Sequence, residues 1–116
     1  MTLDEALAHC PVVAIVRGVK PDEVLDHAAA LLEAGVLGVE VPLNSPEPIE
    51  SIRRLAAEFG QRMVVGAGTV LAPERVDAVA GVGGRIIISP NTQPSVIRRS
   101  RELGLEPAPG FATASE

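Results

Sequence analysis

The sequence predicts an α/β fold built on a parallel sheet, and three observations carry that prediction. Short β-branched apolar runs alternate with segments patterned as amphipathic helices, and the runs return every twenty-odd residues, the length of a compact strand–helix unit. The runs are also continuously apolar rather than alternating, the pattern of strands covered on both sheet faces, so helices are expected on both sides. At 116 residues, with 47% hydrophobic and 22% charged side chains, the chain has the length and composition of one globular domain, residues 1–116.

The elements follow in order. TLDEAL (2–7) opens a short helix, with Thr2 and Glu5 at the spacing of a capping box, in which each side chain satisfies one free amide. PVVAIVRG (11–18) reads as a strand ended by Gly18. KPDEVLDHAAALLEAG (20–35) follows as a helix, Pro21 suiting its first turn and Gly35 its close. The same phrase then recurs: VLGVEVPL (36–43) before SPEPIESIRRLAAEFG (45–60), MVVGAGTV (63–70) before APERVDAVAGVG (72–83), RIIISPN (85–91) before QPSVIRRSRELG (93–104), and LEPAPGF (105–111) before ATASE (112–116). ATASE reads as a further helix begun and then stopped at Glu116 without a glycine cap, so a truncated chain with an unpaired edge strand is expected. Five strands at this length suit an open, doubly wound sheet, whereas a closed eightfold barrel takes about 200 residues or more. The abrupt ending points the other way, and the segments alone leave both architectures standing.

Composition removes several functions. A formal net charge of -5, with the ten Lys and Arg scattered rather than gathered on one stripe, argues against nucleic acid as a partner. A single cysteine, Cys10, excludes an internal disulfide and any multi-cysteine zinc site, in keeping with a cytoplasmic protein. No apolar run approaches the roughly 18 residues of a membrane span, and the acidic start MTLDEALAHC is unlike a signal peptide, so no membrane partner is expected. Phe59 and Phe111 are the only aromatic residues, which removes base-stacking platforms, aromatic cages and sugar-stacking surfaces.

In parallel α/β folds, sites lie beyond the carboxyl ends of the strands. Here those ends carry Arg17-Gly18, Glu40 to Asn44, Gly66-Ala67-Gly68-Thr69, Ser89-Pro90-Asn91, and Pro109-Gly110 before Thr113, five ends expected to meet at one mouth. Ordinary turn chemistry accounts for the Gly, Ser, Asn and Pro positions, with Ser45 or Thr113 simply capping the next helix. It does not account for Glu40 or Arg17. Glu40 stands inside a strand, between Val39 and Val41, and an ionised carboxylate buried there without a partner costs several kcal/mol. It must be paired, protonated or open to a wet cavity. Arg17, at the matching end of the preceding strand about 4.8 Å away, is the natural partner. Desolvation would raise the carboxyl pKa and the arginine would lower it; a balance of the two would fit proton transfer near neutral pH, the residues alone leave its net sign open, and a purely structural ion pair is the alternative.

The GAG of VVGAGTV resembles the start of a phosphate loop, but Leu71 stands where the third fingerprint glycine belongs and no Walker lysine follows. These glycines instead let something approach the strand backbone closely, with Thr69 offering a hydroxyl beside it. His9 and His27 read as packing or surface residues, and no cluster stands at metal-ligand spacing. The charges of SIRRLAAEF and VIRRSRELG read as solvated helix faces.

Taken together, AIVRGV (14–19), GVEVPLNSPEP (38–48), VGAGTVLAPERVDA (65–78), IISPNTQPSVI (87–97) and PAPGFATASE (107–116) resemble the amino-terminal part of the 2-keto-3-deoxy-phosphosugar-acid aldolases. EVPLNSP is similar to the branch acting on 2-dehydro-3-deoxy-6-phosphogalactonate in galactonate catabolism; the phosphogluconate branch usually has an arginine near the place of Asn44. The resemblance implies a (β/α)8 barrel, present here as about five βα units, and a trimeric lyase that needs no metal or cofactor. Such enzymes cleave a phosphorylated keto acid to pyruvate and glyceraldehyde 3-phosphate through a lysine Schiff base. It further implies that Glu40 is the general acid and base, that Arg17 holds the pyruvyl carboxylate and orients Glu40, and that Thr69, Asn91, Pro109 and Gly110 line the substrate end.

The same resemblance puts the Schiff-base lysine and the phosphate loops beyond Glu116. The one lysine of this chain, Lys20, stands in the loop after the first strand, with nothing nearby to depress its pKa for covalent chemistry. The chain alone is therefore expected to be silent. A small keto-acid binding module without catalysis is the alternative, and an isomerase or epimerase on a related barrel would require a phosphate site absent from these residues.

Overall fold

In the computed structural model, which describes all of residues 1–116, the elements run α1 (Leu3–His9), β1 (Val13–Ile15), α2 (Val24–Glu33), β2 (Gly38–Pro42), α3 (Pro48–Phe59), β3 (Val64–Gly68), α4 (Pro73–Gly81), β4 (Ile86–Ser89), α5 (Pro94–Glu102) and β5 (Glu106–Pro109). Proline opens three of these helices: Pro48, Pro73 and Pro94 stand where the missing N–H is one that no helical turn would satisfy. Glycine closes three. Gly35, Gly83 and Gly104 sit at φ of 90°, 93° and 76°, and each lets the following amide reach back to the last full turn, as Val36 N–H does to the Leu31 carbonyl at 2.9 Å.

Some boundaries differ from the sequence reading. Pro21 lies in a turn before α2 rather than in its first turn, because Glu23 takes the cap position and its carboxylate accepts the Lys20 amide instead. Thr2 Oγ1 accepts the Glu5 amide at 3.1 Å, but the reciprocal half of the capping box is not made. Residues 112–116 form a turn closed by Glu116 rather than the start of a helix.

The five strands are all parallel and lie in the order β1-β2-β3-β4-β5. Right-handed crossovers that always step the same way put every crossover helix on one face, whereas a doubly wound sheet needs a reversal of strand order to use both. The core follows that rule. Val39, Val41, Val65, Ala67 and Ile87 pack against Val24 and Ala28 of α2, Ile52 and Leu55 of α3, Val76 and Val79 of α4, and Val96 of α5 in one apolar cluster. The alternate residues Val64 and Ile86 meet only Ala6 of α1 and its neighbours on the opposite face. The expectation of helices on both faces holds only through α1; the four crossover helices all lie on one face. Apolar continuity reports burial on both sides of a strand, not what does the burying.

Sequential order with one helical face is the arrangement of a barrel wall, here five strands of it. β1 and β5 are the outermost of these five strands, and Ile15 of β1 is 65% exposed. Glu106 and Gly110 donate their amides to Arg85 and Ser89, so the β5 residues whose backbone faces away from β4 are Pro107 and Pro109, which have no N–H to donate.

Candidate active site

Val39 and Val41 face the helices, so the pleat turns Glu40 to the opposite, inner face, together with Gly66 and Gly68 of β3. Its register partners are Ile15 on one side and Gly66 on the other. The side chain leans along β3: a Cβ built on Gly68 would fall on the Glu40 carboxylate, and one on Gly66 would collide with the Ile86 carbonyl. The close approach expected at the GAG segment thus has a definite visitor. Glycine at 68 makes room for a carboxyl group.

Glu40 is only 4% exposed, and its Oε2 has no hydrogen-bond partner. A buried carboxylate in that state is held mainly by what it lacks. Burial pushes the Glu40 pKa above the ordinary glutamate range, and the positive charge of Arg17 pulls it back by a lesser amount.

Arg17 does not bond directly to Glu40. It is exposed at the end of an edge strand and acts on the carboxyl through space, which corrects the expectation of a direct pair. A long side chain in water loses rotamer freedom in a fixed ion pair and gains little from it. The backbone around it is nonetheless pinned: Val16 N–H donates to the Glu40 carbonyl at 3.1 Å, and Gly18 N–H donates to Ser45 Oγ at 3.1 Å. Ser45 is accordingly no helix cap. Glu47 holds that place for α3, in the left-handed region at φ 41°.

The other strand ends are laced in a similar way. Leu43 N–H donates to the Gly68 carbonyl at 2.9 Å, and Ser89, buried, donates its hydroxyl to the Val70 carbonyl at 2.8 Å. Between them Thr69 is held at φ 56°, a left-handed backbone that costs a β-branched residue on the order of 1–3 kcal/mol. Thr92 Oγ1 donates to the Gly110 carbonyl at 2.7 Å, while Gly110 presses so closely on the Pro90 carbonyl that a side chain there would overlap it. Asn91 and Pro109 are exposed beside this junction. All the residues singled out from the sequence therefore lie at the carboxyl edge of one sheet, with Glu40 the deepest. The signal missed was Ser45, whose partner is 27 positions away and invisible to local turn chemistry.

A cavity of about 500 Å³ at the β5 end is lined by Thr92, Pro109, Phe111 and Thr113, and one of about 510 Å³ beside β1 by Ala14, Ile15 and Val16; two others lie away from the strand ends. One of about 490 Å³ separates α3 from α4 between Arg53 and Arg85, and one of about 340 Å³ has Lys20, Asp22, Glu47 and Arg54 on its walls. Lys20 is exposed, as expected. The helix charges are less free than expected: Arg53 and Arg54 both bind Glu50, Arg54 also donates to the Pro21 carbonyl, and Arg99 of α5 reaches Asp77 of α4 at 2.7 Å. No helix is long and apolar enough to cross a membrane.

A sequentially ordered parallel sheet with one helical face, and a buried, unbonded carboxyl at the carboxyl ends of its strands, defines an α/β protein of the partial-barrel kind. Comparison with known proteins carries this further. The chain belongs to the KDPG and KHG aldolase family, which matches residues 3–116. It is 47% identical over 106 residues to 2-dehydro-3-deoxy-6-phosphogalactonate aldolase of Escherichia coli strain K12, covering 91% of this chain and 52% of that protein. The native KDPGal structure, at the same identity, superposes with a TM-score of 0.89 over 91% of this chain and 52% of the other. KDPG aldolase from Legionella pneumophila, solved with pyruvate captured as a covalent carbinolamine, is 28% identical with a TM-score of 0.78, covering 89% of this chain and 48% of that one. The chain spans about half the length of the relatives it matches.

Proposed function

We propose that residues 1–116 form one domain, the amino-terminal part of a (β/α)8 class I aldolase, and contribute its proton-handling half. The observation that carries this reading is the Glu40 carboxyl, buried, unbonded and with its pKa raised by desolvation, over Gly68 on the inner face of the sheet. The substrate class comes from the relatives: a phosphorylated 2-keto-3-deoxy sugar acid, cleaved to pyruvate and glyceraldehyde 3-phosphate. The 47% identity to the Escherichia coli enzyme and the EVPLNSP segment favour the phosphogalactonate acid.

In this reading the keto carbon is held as an iminium by a lysine outside these residues. The Glu40 carboxylate takes the proton of the C4 hydroxyl as the C3–C4 bond breaks, and the bonding electrons move to C3 and into the iminium. The aldehyde leaves, and the same proton returns from Glu40 to C3 of the enamine, which yields pyruvate after hydrolysis. One carboxyl thus serves as base and then acid, which a pKa raised by burial above the ordinary glutamate range suits. Arg17 holds the carboxylate of the keto acid with its planar fork, and Thr69, Asn91, Pro109 and Gly110 line the far end. A cytoplasmic trimer without metal or cofactor accords with the resemblance.

Borohydride reduction in the presence of pyruvate tests the division of labour. Joined to the carboxyl-terminal half of the Escherichia coli relative, the chain is expected to give a pyruvate adduct on the supplied half; alone, it gives none. An adduct at Lys20 of the isolated chain would contradict the reading.

A further inference from the structure

We propose that Ser45 is a positioning residue that sets where Arg17 stands relative to Glu40. The inference rests on the reading of Glu40 and Arg17 given above. Arg17 lies between two residues whose amides are both held by the β2 segment: Val16 by the Glu40 carbonyl and Gly18 by the Ser45 hydroxyl, each at 3.1 Å. The first hold belongs to the sheet ladder and survives any side-chain change. The second depends on one hydroxyl, on a residue only 7% exposed, reaching into a loop from the neighbouring strand end. Gly18 is at φ 77°, so the chain turns sharply there, and without the Ser45 bond nothing else holds its amide.

The consequence falls on Arg17 because its guanidinium makes no direct contact that would fix it from the other end. Its position is set by its backbone. Arg17 is the one charged group that acts on Glu40: β3 presents only Gly66 and Gly68 to the carboxyl, and β2 itself adds only Gly38 and Pro42 on that face. Moving Arg17 therefore changes the one electrostatic influence that opposes desolvation at the carboxyl. The Ser45 hydroxyl accepts the backbone amide of Gly18, the residue after Arg17, and so acts on Arg17 through the backbone.

Nuclear magnetic resonance on the 116-residue chain tests this through two readouts that do not depend on activity. In the native chain the Gly18 amide is expected to exchange with solvent at least about fivefold more slowly than in Ser45→Ala, the ratio a single net hydrogen bond carries. The carboxyl titration of Glu40, followed by its 13C shift, is expected to move upward in Ser45→Ala, as in Arg17→Ala, and to return in Ser45→Thr. Ser45→Ala should add nothing in the Arg17→Ala background. Thr92→Val, which frees a loop on the far side of the sheet, should leave Glu40 where it was.

A Glu40 titration unmoved in Ser45→Ala but moved in Arg17→Ala would overturn the proposal, as would an equal shift in Thr92→Val. If Ser45→Ala does not fold, an unprotected Gly18 amide in the native chain overturns it by itself. These outcomes leave the acid–base reading untouched, whereas proton exchange retained by Glu40→Gln in the joined enzyme would remove that reading and not the Ser45 result.

Discussion

The carboxylate of Glu40 occupies the space that a side chain at position 68 would fill. The two residues lie on adjacent strands and are specific to each other: a carboxyl can be buried at 40 because residue 68 is glycine. Gly68→Ala should destabilise the fold by about 1–3 kcal/mol, the usual cost of overpacking. In a Glu40→Ala background the same change should cost much less. Urea unfolding of the four proteins gives the coupling, expected above roughly 1 kcal/mol; additive effects would show that the carboxyl does not rest there.

Glu40 also sets a pH dependence of unusual sign. Its folded pKa lies above the unfolded value, so between those two values the folded chain binds more protons than the unfolded one. Stability contributed by this group is full below the unfolded pKa and declines as pH rises through the folded one. Glu40→Gln should therefore be more stable than the native chain at pH 7, by about 1–2 kcal/mol or several degrees in Tm, and should lose that part of the pH dependence. Thermal unfolding followed across pH 4 to 8 checks it.

Glu50 works in the opposite direction. Hydrogen bonds from Arg53 and then Arg54 hold its carboxyl well below the usual range, at about 2. Its contribution is present above the ordinary glutamate pKa and is lost as pH falls toward that low value. The pair is on the surface, so added salt should weaken the effect. Glu50→Gln should flatten the acid limb of the stability profile in low salt and change little in high salt.

In the 116-residue chain taken by itself, Pro107 and Pro109 withhold the donors that another strand would use on the side of β5 away from β4. Replacing both with Val should leave the inward bonds of Glu106 and Gly110 intact and open the edge to strand addition. Sedimentation at increasing concentration should then show association beyond that of the native chain, while far-ultraviolet circular dichroism stays the same.

What the sequence made legible followed from residues that break a local pattern. A carboxylate between Val39 and Val41 had to be explained by its surroundings, and two glycines around Ala67 had to admit a close neighbour; the structure joins the two facts. The face that the helices cover was not legible, because Val39, Val41, Val65 and Ala67 would read the same in a doubly wound sheet. Strand order decides it, and strand order is a long-range property. Arg17 was expected to grip Glu40 because the two share a strand end, but a side chain exposed on an edge answers to water before it answers to a neighbour. Ser45 read as a cap because serine before a proline-led helix usually is one, and its bond to Gly18 emerges only once β1 and β2 are side by side.

The central claim is that Glu40 moves the proton. The most direct measurement is exchange of the pyruvate methyl protons with deuterium oxide, catalysed by this chain joined to the lysine-bearing half of a relative. Glu40→Gln should slow that exchange by about 10²–10⁴-fold, the contribution of a positioned acid–base group. Exchange at the native rate in Glu40→Gln, with pyruvate still bound, would contradict the account.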